Sequence, residues 1–161
     1  MAVDIFMDIK GVEGESADKK HTKKIDVLAW SWGMSNSGTA HLGGGAGSGK
    51  VNVQDLSFTK YVDAASASLM LFCANGKHVP EAKLIVRKAG GDALEYLKIT
   101  MNEVLISSFS TGGSGGEDRF TEHVSLNFAK VKVEYTPQDK EGKPGTTKNY
   151  LGHIAENHHS A

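Results

Sequence analysis

Apolar and polar positions alternate through much of this chain, and the pattern is strongest across residues 25–60. In IDVLAWSWGM, Leu28, Trp30, Trp32 and Met34 occupy one parity, and Val27, Ala29, Ser31 and Gly33 the other. A period of two marks a strand, whose side chains point alternately to opposite faces. The large apolar set predicts a core face and the small set a wet face. A glycine-rich segment follows, SNSGTAHLGGGAGSGK, and then VNVQDLSFTK. Together they predict a hairpin with a long extension at its tip.

Similar patterns recur on both sides. Val3, Ile5, Met7 and Ile9 alternate with Asp4, Asp8 and Lys10, with Phe6 out of phase, in a first strand. Residues 11–24 are polar and read as a connecting loop. Across 51–62 the apolar parity moves from Val51 and Val53 to Leu56 and Phe58, predicting a twist or bulge near Gln54 and Asp55. The one good helical segment is 63–75, DAASASLMLFCAN. Asp63 or Ser66 can cap its start, and Gly76 stands where a C′ glycine belongs. Leu69, Phe72 and Cys73 share a face that predicts packing on the outside of a sheet.

Ala82, Leu84 and Val86 begin a strand that turns at Ala89-Gly90-Gly91-Asp92. The long strand after it sets Leu97, Ile99, Met101 and Leu105 on one face, and Lys98, Thr100 and Asn102 on the other. The last long strand carries Val124, Leu126 and Phe128, then Val131, Val133 and Tyr135, with Ser125 and Asn127 on the wet side. Its parity flip near Ala129 and Lys130 predicts a second bulge. Tyr150, Leu151 and Ile154 read as a weak terminal strand, and residues 157–161 as frayed.

Six or more strands with one short helix predict an antiparallel β-barrel or sandwich with the helix outside, and long strands favour the barrel. The 161 residues suit one domain, 1–161, with a loop at 35–50 and a tail at 137–161. A chain this long can bury roughly 70% of its unfolded surface.

Composition mainly excludes. A net charge of -1 and a pI near 6.6 give no electrostatic case for nucleic acid or an anionic membrane. No apolar run approaches the roughly 18 residues of a membrane span, and MAVDIFMDIKG lacks the apolar core of a cleaved signal. The expectation is synthesis in the cytoplasm and no membrane insertion, with any export by a route that reads no cleaved signal. Cys73, the sole cysteine, permits no intrachain disulfide.

Candidate chemistry is thin. Gly44-x-x-x-x-Gly49-Lys50 approaches a phosphate-binding loop, but Val51 replaces the magnesium-holding hydroxyl and a strand follows where a helix is needed. The histidines lack zinc-site spacing. Ser31 has neither GxSxG nor SxxK around it, Cys73 sits on an apolar face, and no carboxylate pair stands out. Trp30 and Trp32 could form a sugar-binding platform, although their Leu and Met companions favour a core. The expectation is a protein without catalysis, cofactor or metal. What remains is surface: two glycine-rich loops and long strands with a polar second face, suited to packing against copies of itself.

The run IDVLAWSWGMSNSGTAHLGGGAGSGKVNVQDLSFTKYVD resembles the hallmark stretch of the Hcp (haemolysin-coregulated protein) family of type VI secretion. AVDIFMDIKGVEGES, LMLFCANGKHVPEAKLIVRKAGG and STGGSGGEDRFTEHVSLNFAKVKVEY follow the same family in order. Many members carry a Gly-Trp pair near the C-terminus, where this chain has Tyr150-Leu151-Gly152-His153. The resemblance implies a mainly β fold, phage tail-tube-like: a partly open antiparallel β-barrel of two sheets with one α-helix packed outside. It also implies homohexameric rings that stack into a hollow tube, with a spike protein at the tip and a contractile sheath around it. The lumen would carry small effector proteins. By direct match of the Trp30-Ser31-Trp32-Gly33 motif, the family's cargo-sensitive lumen serine is Ser31. With the alternation, the expected lumen set is Ala29, Ser31, Thr100, Asn102, Ser125 and Asn127. The expected ring-stacking loop is His41, Leu42, Gly43, Gly44, Gly45, Ala46, Gly47, Ser48, Gly49 and Lys50. Of a different class is a carbohydrate-binding barrel using Trp30 and Trp32.

Overall fold

A computed structural model describes residues 3–36, 50–89 and 94–161. In chain order its strands are β1 (Val3–Ile9), β2 (Ile25–Asp26), β3 (Ala29–Ser31), β4 (Met34–Ser35), β5 (Asn52–Val53) and β6 (Leu56–Tyr61). The helix α1 (Ser66–Asn75) follows, then β7 (Val79–Lys88), β8 (Glu95–Gly112), β9 (Thr121–Tyr135), β10 (Lys148–His153) and β11 (His158–Ser160). All paired strands are antiparallel, and the main sheet runs β11-β10-β9-β8-β7-β1-β2. A branch leaves this path: β9 also pairs β6, and β6 pairs β3. The small β4–β5 ladder forms a second sheet. The wall curves far enough for the chain to pass from β1 to β6, as Val27 N donates to Ile5 O and Leu28 N to Thr59 O. The bridging strands are so short that the wall does not close into a barrel.

That handover corrects the prediction for 25–34, which is three short pieces and not one strand. Ile25 and Val27 face the core, Val27 at 8% exposure, while Leu28 and Met34 are 44% and 42% exposed. Inward parity thus changes at Leu28, where the chain changes partner. Trp30 and Trp32 are half-buried against the core. The break at Gln54 and Asp55 falls where the parity change predicted it, between β5 and β6.

Phe6 is out of phase because β1 is covered on both sides. On its outer side Phe6 stacks on His21 at 4.6 Å, and the Arg87 guanidinium lies 5.0 Å from its ring. Residues 11–24 are folded back by Gly14 N to Lys23 O and Ser16 N to Lys24 O hydrogen bonds. A Cβ at Gly14 would lie 2.5 Å from Lys24 O, so this close approach requires glycine. Arg87 ties the loop down through Asp18, at 2.7 Å, and also holds Asp4 at 3.0 Å.

The helix starts three residues later than predicted. Contrary to expectation, neither Asp63 nor Ser66 caps it: the N-cap is Ala65, with no side-chain cap. Asp63 lies too far ahead, and its carboxylate accepts Ala65 N. Gly76 ends the helix at φ 66°, the left-handed C′ conformation. Leu69 is fully buried, with Phe72 and Cys73 against the core, as the sequence predicted.

Along β8 the inward residues are Ile99 and Met101, then Val104 and Ile106, so Leu105 lies on the outer face, contrary to expectation. Glu103 causes this with a positive φ of 55°. On β9 inward parity changes equally, from Phe128 to Val131. Because both strands turn over together, Asn102 still pairs Lys130 and Val104 still pairs Phe128. The flip predicted at Ala129 and Lys130 is real, but no residue is inserted there. The β8–β9 bulge lies instead between Ile106 and Ser108. The tail is also more ordered than predicted: β10 pairs β9 over six residues, and β11 folds back on β10. Tyr150 OH and His159 Nδ1, 2.7 Å apart, close this hairpin.

Candidate functional site

The branch β3-β6-β9-β8 forms a four-stranded wall whose inner and outer faces separate by alternation. Leu56, Phe58, Val124, Leu126 and Ile106 point into the core. On the outer face, register brings four serines into one row: Ser31 opposite Ser57, Ser57 opposite Ser125, Ser125 opposite Ser108. Ser57 Oγ and Ser125 Oγ are 2.9 Å apart and share a hydrogen bond. The next row is Ala29, Thr59, His123 and Ser110, with Thr59 Oγ1 3.0 Å from His123 Nδ1. Ala29, Ser31, Ser57, Thr59 and His123 line a shallow depression. Asn127, one row further along β9, donates from Nδ2 to Asp55 Oδ1 at 2.8 Å.

Ala29, Ser31, Ser125 and Asn127 are therefore brought together, and Ala29, Ser31 and Asn127 are exposed. Thr100 and Asn102 are on the outer side of the same sheet but beyond the Glu103 flip. They line a separate cleft of about 450 Å³ with Lys130, Lys132, Leu151, His153 and His158. A curved wall turns its outer face in more than one direction, and the two linings share no residue. His41, Leu42, Gly43, Gly44, Gly45, Ala46, Gly47, Ser48 and Gly49 lie outside the described residues. Lys50 is exposed, and the β4–β5 ladder stands at the base of that loop.

Sequence reasoning missed Ser57, Thr59, Ser108, Ser110 and His123. Alternation against Leu56 and Phe58 would have found the first two. It also missed a buried ionic cluster behind this wall. Lys60 and Glu122 are paired residues of β6 and β9, both fully buried. Lys60 Nζ lies 2.5 Å from Glu122 Oε1 and 2.8 Å from Asp63 Oδ1, and it donates to Ser66 Oγ at 3.2 Å. Pattern reading assigns a lone Lys or Glu to solvent, so nothing local signalled the pair. Among the described residues no group of three or more His, Cys, Asp or Glu is placed to hold a metal ion.

Among the described residues the wall has two free edges: β3 pairs with β6 alone, and the part of β8 beyond Val104 pairs with β9 alone.

An open, curved antiparallel wall with one helix docked on it is the class this geometry defines. Residues 6–135 match the family described as "Type VI secretion system effector, Hcp", and the chain belongs to that family. It is 62% identical over 159 residues to protein hcp1 of Pseudomonas aeruginosa, covering 98% of each chain. A solved structure described as a type six secretion system protein superposes with a TM-score of 0.92 at 32% identity, covering 99% of this chain and 100% of that one. Hcp1 from Salmonella typhimurium gives 0.82 at 40% identity, with the same coverage. The fold expected from the sequence resemblance is thus observed.

Proposed function

We propose that this chain is the structural subunit of a type VI secretion inner tube, assembled as homohexameric rings. The observation that carries the reading is the serine-lined wall with a free edge on each side. Its four strands alternate in direction, so β8 of one copy meets β3 of the next in antiparallel sense. Unpaired edges seek such partners, and closing the wall removes them. With strands about 4.8 Å apart, six such walls would run roughly 115 Å round and enclose a bore roughly 37 Å across. That bore admits a small folded protein. Ala29, Ser31, Ser125 and Asn127 would meet cargo there, through many weak contacts that are strong together.

Rings would stack through residues 41–50, cap with a spike protein and be driven out by a contracting sheath. The chain would be assembled in the cytoplasm and exported without a cleaved signal, and it would catalyse nothing. Shortening residues 43–49 is expected to spare rings and to impair tubes and secretion. The carbohydrate reading is weaker: Trp30 and Trp32 pack on the core, and Trp32 Nε1 donates to Gln54 O at 2.9 Å. Negative-stain microscopy and light scattering test the proposal. Six-fold rings for the natural chain, and their loss in Ser108→Lys, support it; a monomer at micromolar concentration overturns it.

A further inference from the structure

Ile106 pairs Leu126, but Ser108 pairs Ser125. Ser107 is therefore the extra residue of a bulge. A one-residue change of register turns every later side chain onto the other face. Because of the bulge, Phe109 pairs Val124 and packs on the core, while Ser108 and Ser110 fall beside Ser125 and His123 on the wet face. Without the extra residue, continuing the earlier register would set Phe109 beside His123. The aromatic ring would then stand on the wet face, at the free edge.

One carboxylate holds this bulge. Ser107 Oγ donates to Asp55 Oδ2 at 2.6 Å, and Asn127 Nδ2 donates to Asp55 Oδ1 at 2.8 Å. Asp55 stands just ahead of β6, so it reaches over β9 to β8 and ties three strands together. Hydrogen bonds to an ionised acceptor are stronger than neutral ones. A bulge that leaves its own residue unpaired in the ladder benefits from such a partner.

We propose that Asp55 is a positioning residue for assembly. It pins the Ser107 bulge and so sets which face residues 108–112 present to a second copy of this chain. The inference rests on the ring reading above, since it concerns how the free edge of β8 meets β3 of a neighbour.

The test joins light scattering with hydrogen exchange on the full chain. In Asp55→Ala, loss of two charge-assisted hydrogen bonds is expected to raise the concentration needed for rings by about tenfold or more. Amides of residues 107–112 are expected to exchange faster, while those of β1 and β7 keep their natural rates. Asp55→Asn is expected to restore both, because its carbonyl still accepts from Ser107 and a turned Asn127 amide can pair its NH₂. Unchanged ring assembly or unchanged exchange at 107–112 in Asp55→Ala overturns the proposal. If Asp55→Ala does not fold, Ser107→Ala removes one hydroxyl and is read the same way. A natural chain that stays monomeric overturns the ring reading and the assembly role with it. Faster exchange in Asp55→Ala would then assign that failure to the ring and not to the clamp.

Discussion

β8 and β9 run through both ends of this molecule, yet the two ends are built differently. At the serine end the outer face carries small hydroxyl groups, the edges are free among the described residues, and a buried ion pair stands behind the wall. At the tail end the outer face carries Lys130, Lys132, His153 and His158, and the sheet is extended by β10 and finished by the three-residue β11. Short, polar edge strands discourage further pairing. On the proposed ring, the tail end stops the sheet and the serine end continues it. The same pair of strands serves both because the Glu103 flip keeps register while the Ser107 bulge changes it.

The largest effect that separates the ends is expected at Lys60. Lys60→Met leaves Glu122 fully buried with its charge uncompensated, and Glu122 Oε2 already has no hydrogen-bond partner among the described residues. Breaking a buried pair in this way costs about 3–5 kcal/mol, read as a fall in urea-unfolding free energy. Adding Glu122→Leu should recover most of it, since apolar replacement of a buried pair is often near neutral. Local exchange should rise at β6 and the start of β9 and not at β10. Equal loosening at both ends would remove the distinction.

Acid provides a second, smaller contrast. The β1–β7 side is latched to residues 11–24 by Arg87. Hydrogen bonding to that guanidinium holds the Asp18 carboxyl at about 2, below its ordinary 3.8. A carboxyl depressed on folding stabilises the native state above its unfolded value and loses that contribution as pH falls through its folded value. The latch is thus intact above about pH 4 and lost toward pH 2. Protection of the amides in residues 11–24, taken relative to intrinsic exchange at each pH, should fall in that window, and Asp18→Asn should show the acid-form protection at neutral pH. A variant with the natural rate at pH 7 would show that the latch does not hold the loop.

Much of this was legible as alternation. β6 and the first part of β9 alternate with a period of two and pair with each other, and α1 ends where Gly76 requires. The reading failed where a strand changes partner or turns over. At Leu28 the chain passes from β1 to β6, and at Glu103 an uncommon backbone conformation moves Leu105 outward without any glycine to announce it. A parity flip in one sequence does not distinguish an inserted residue from a matched turn of both strands, so the pattern points to a bulge near Ala129 and Lys130 whereas the inserted residue is Ser107. Ser31 and Thr100, both expected on one lumen face, line different depressions. A shared parity places Ser31 and Thr100 on one face in principle, but the curvature of the wall gives them different neighbours.

That division yields the smallest expected change in stability and the sharpest test of the comparison. Ser31 and Thr100 are both hydroxyl residues on the outer face, and neither is part of the core cluster. Replacing either by Gln enlarges the side chain without removing a core contact, so each should stay within roughly ±0.5 kcal/mol of the natural stability. Their functional effects should differ. Gln at position 31 enters the row shared with Ser57, Ser125 and Ser108, where a ring would repeat the change around its bore. Co-purification of an effector should then fall sharply with rings intact. Gln at position 100 enters the lysine-lined cleft beside β10, and both rings and cargo should be unaffected. Loss of cargo in Thr100→Gln would join the two ends into one lumen surface. A Ser31→Gln chain that no longer folds would place Ser31 in the core and reverse the faces assigned to β3.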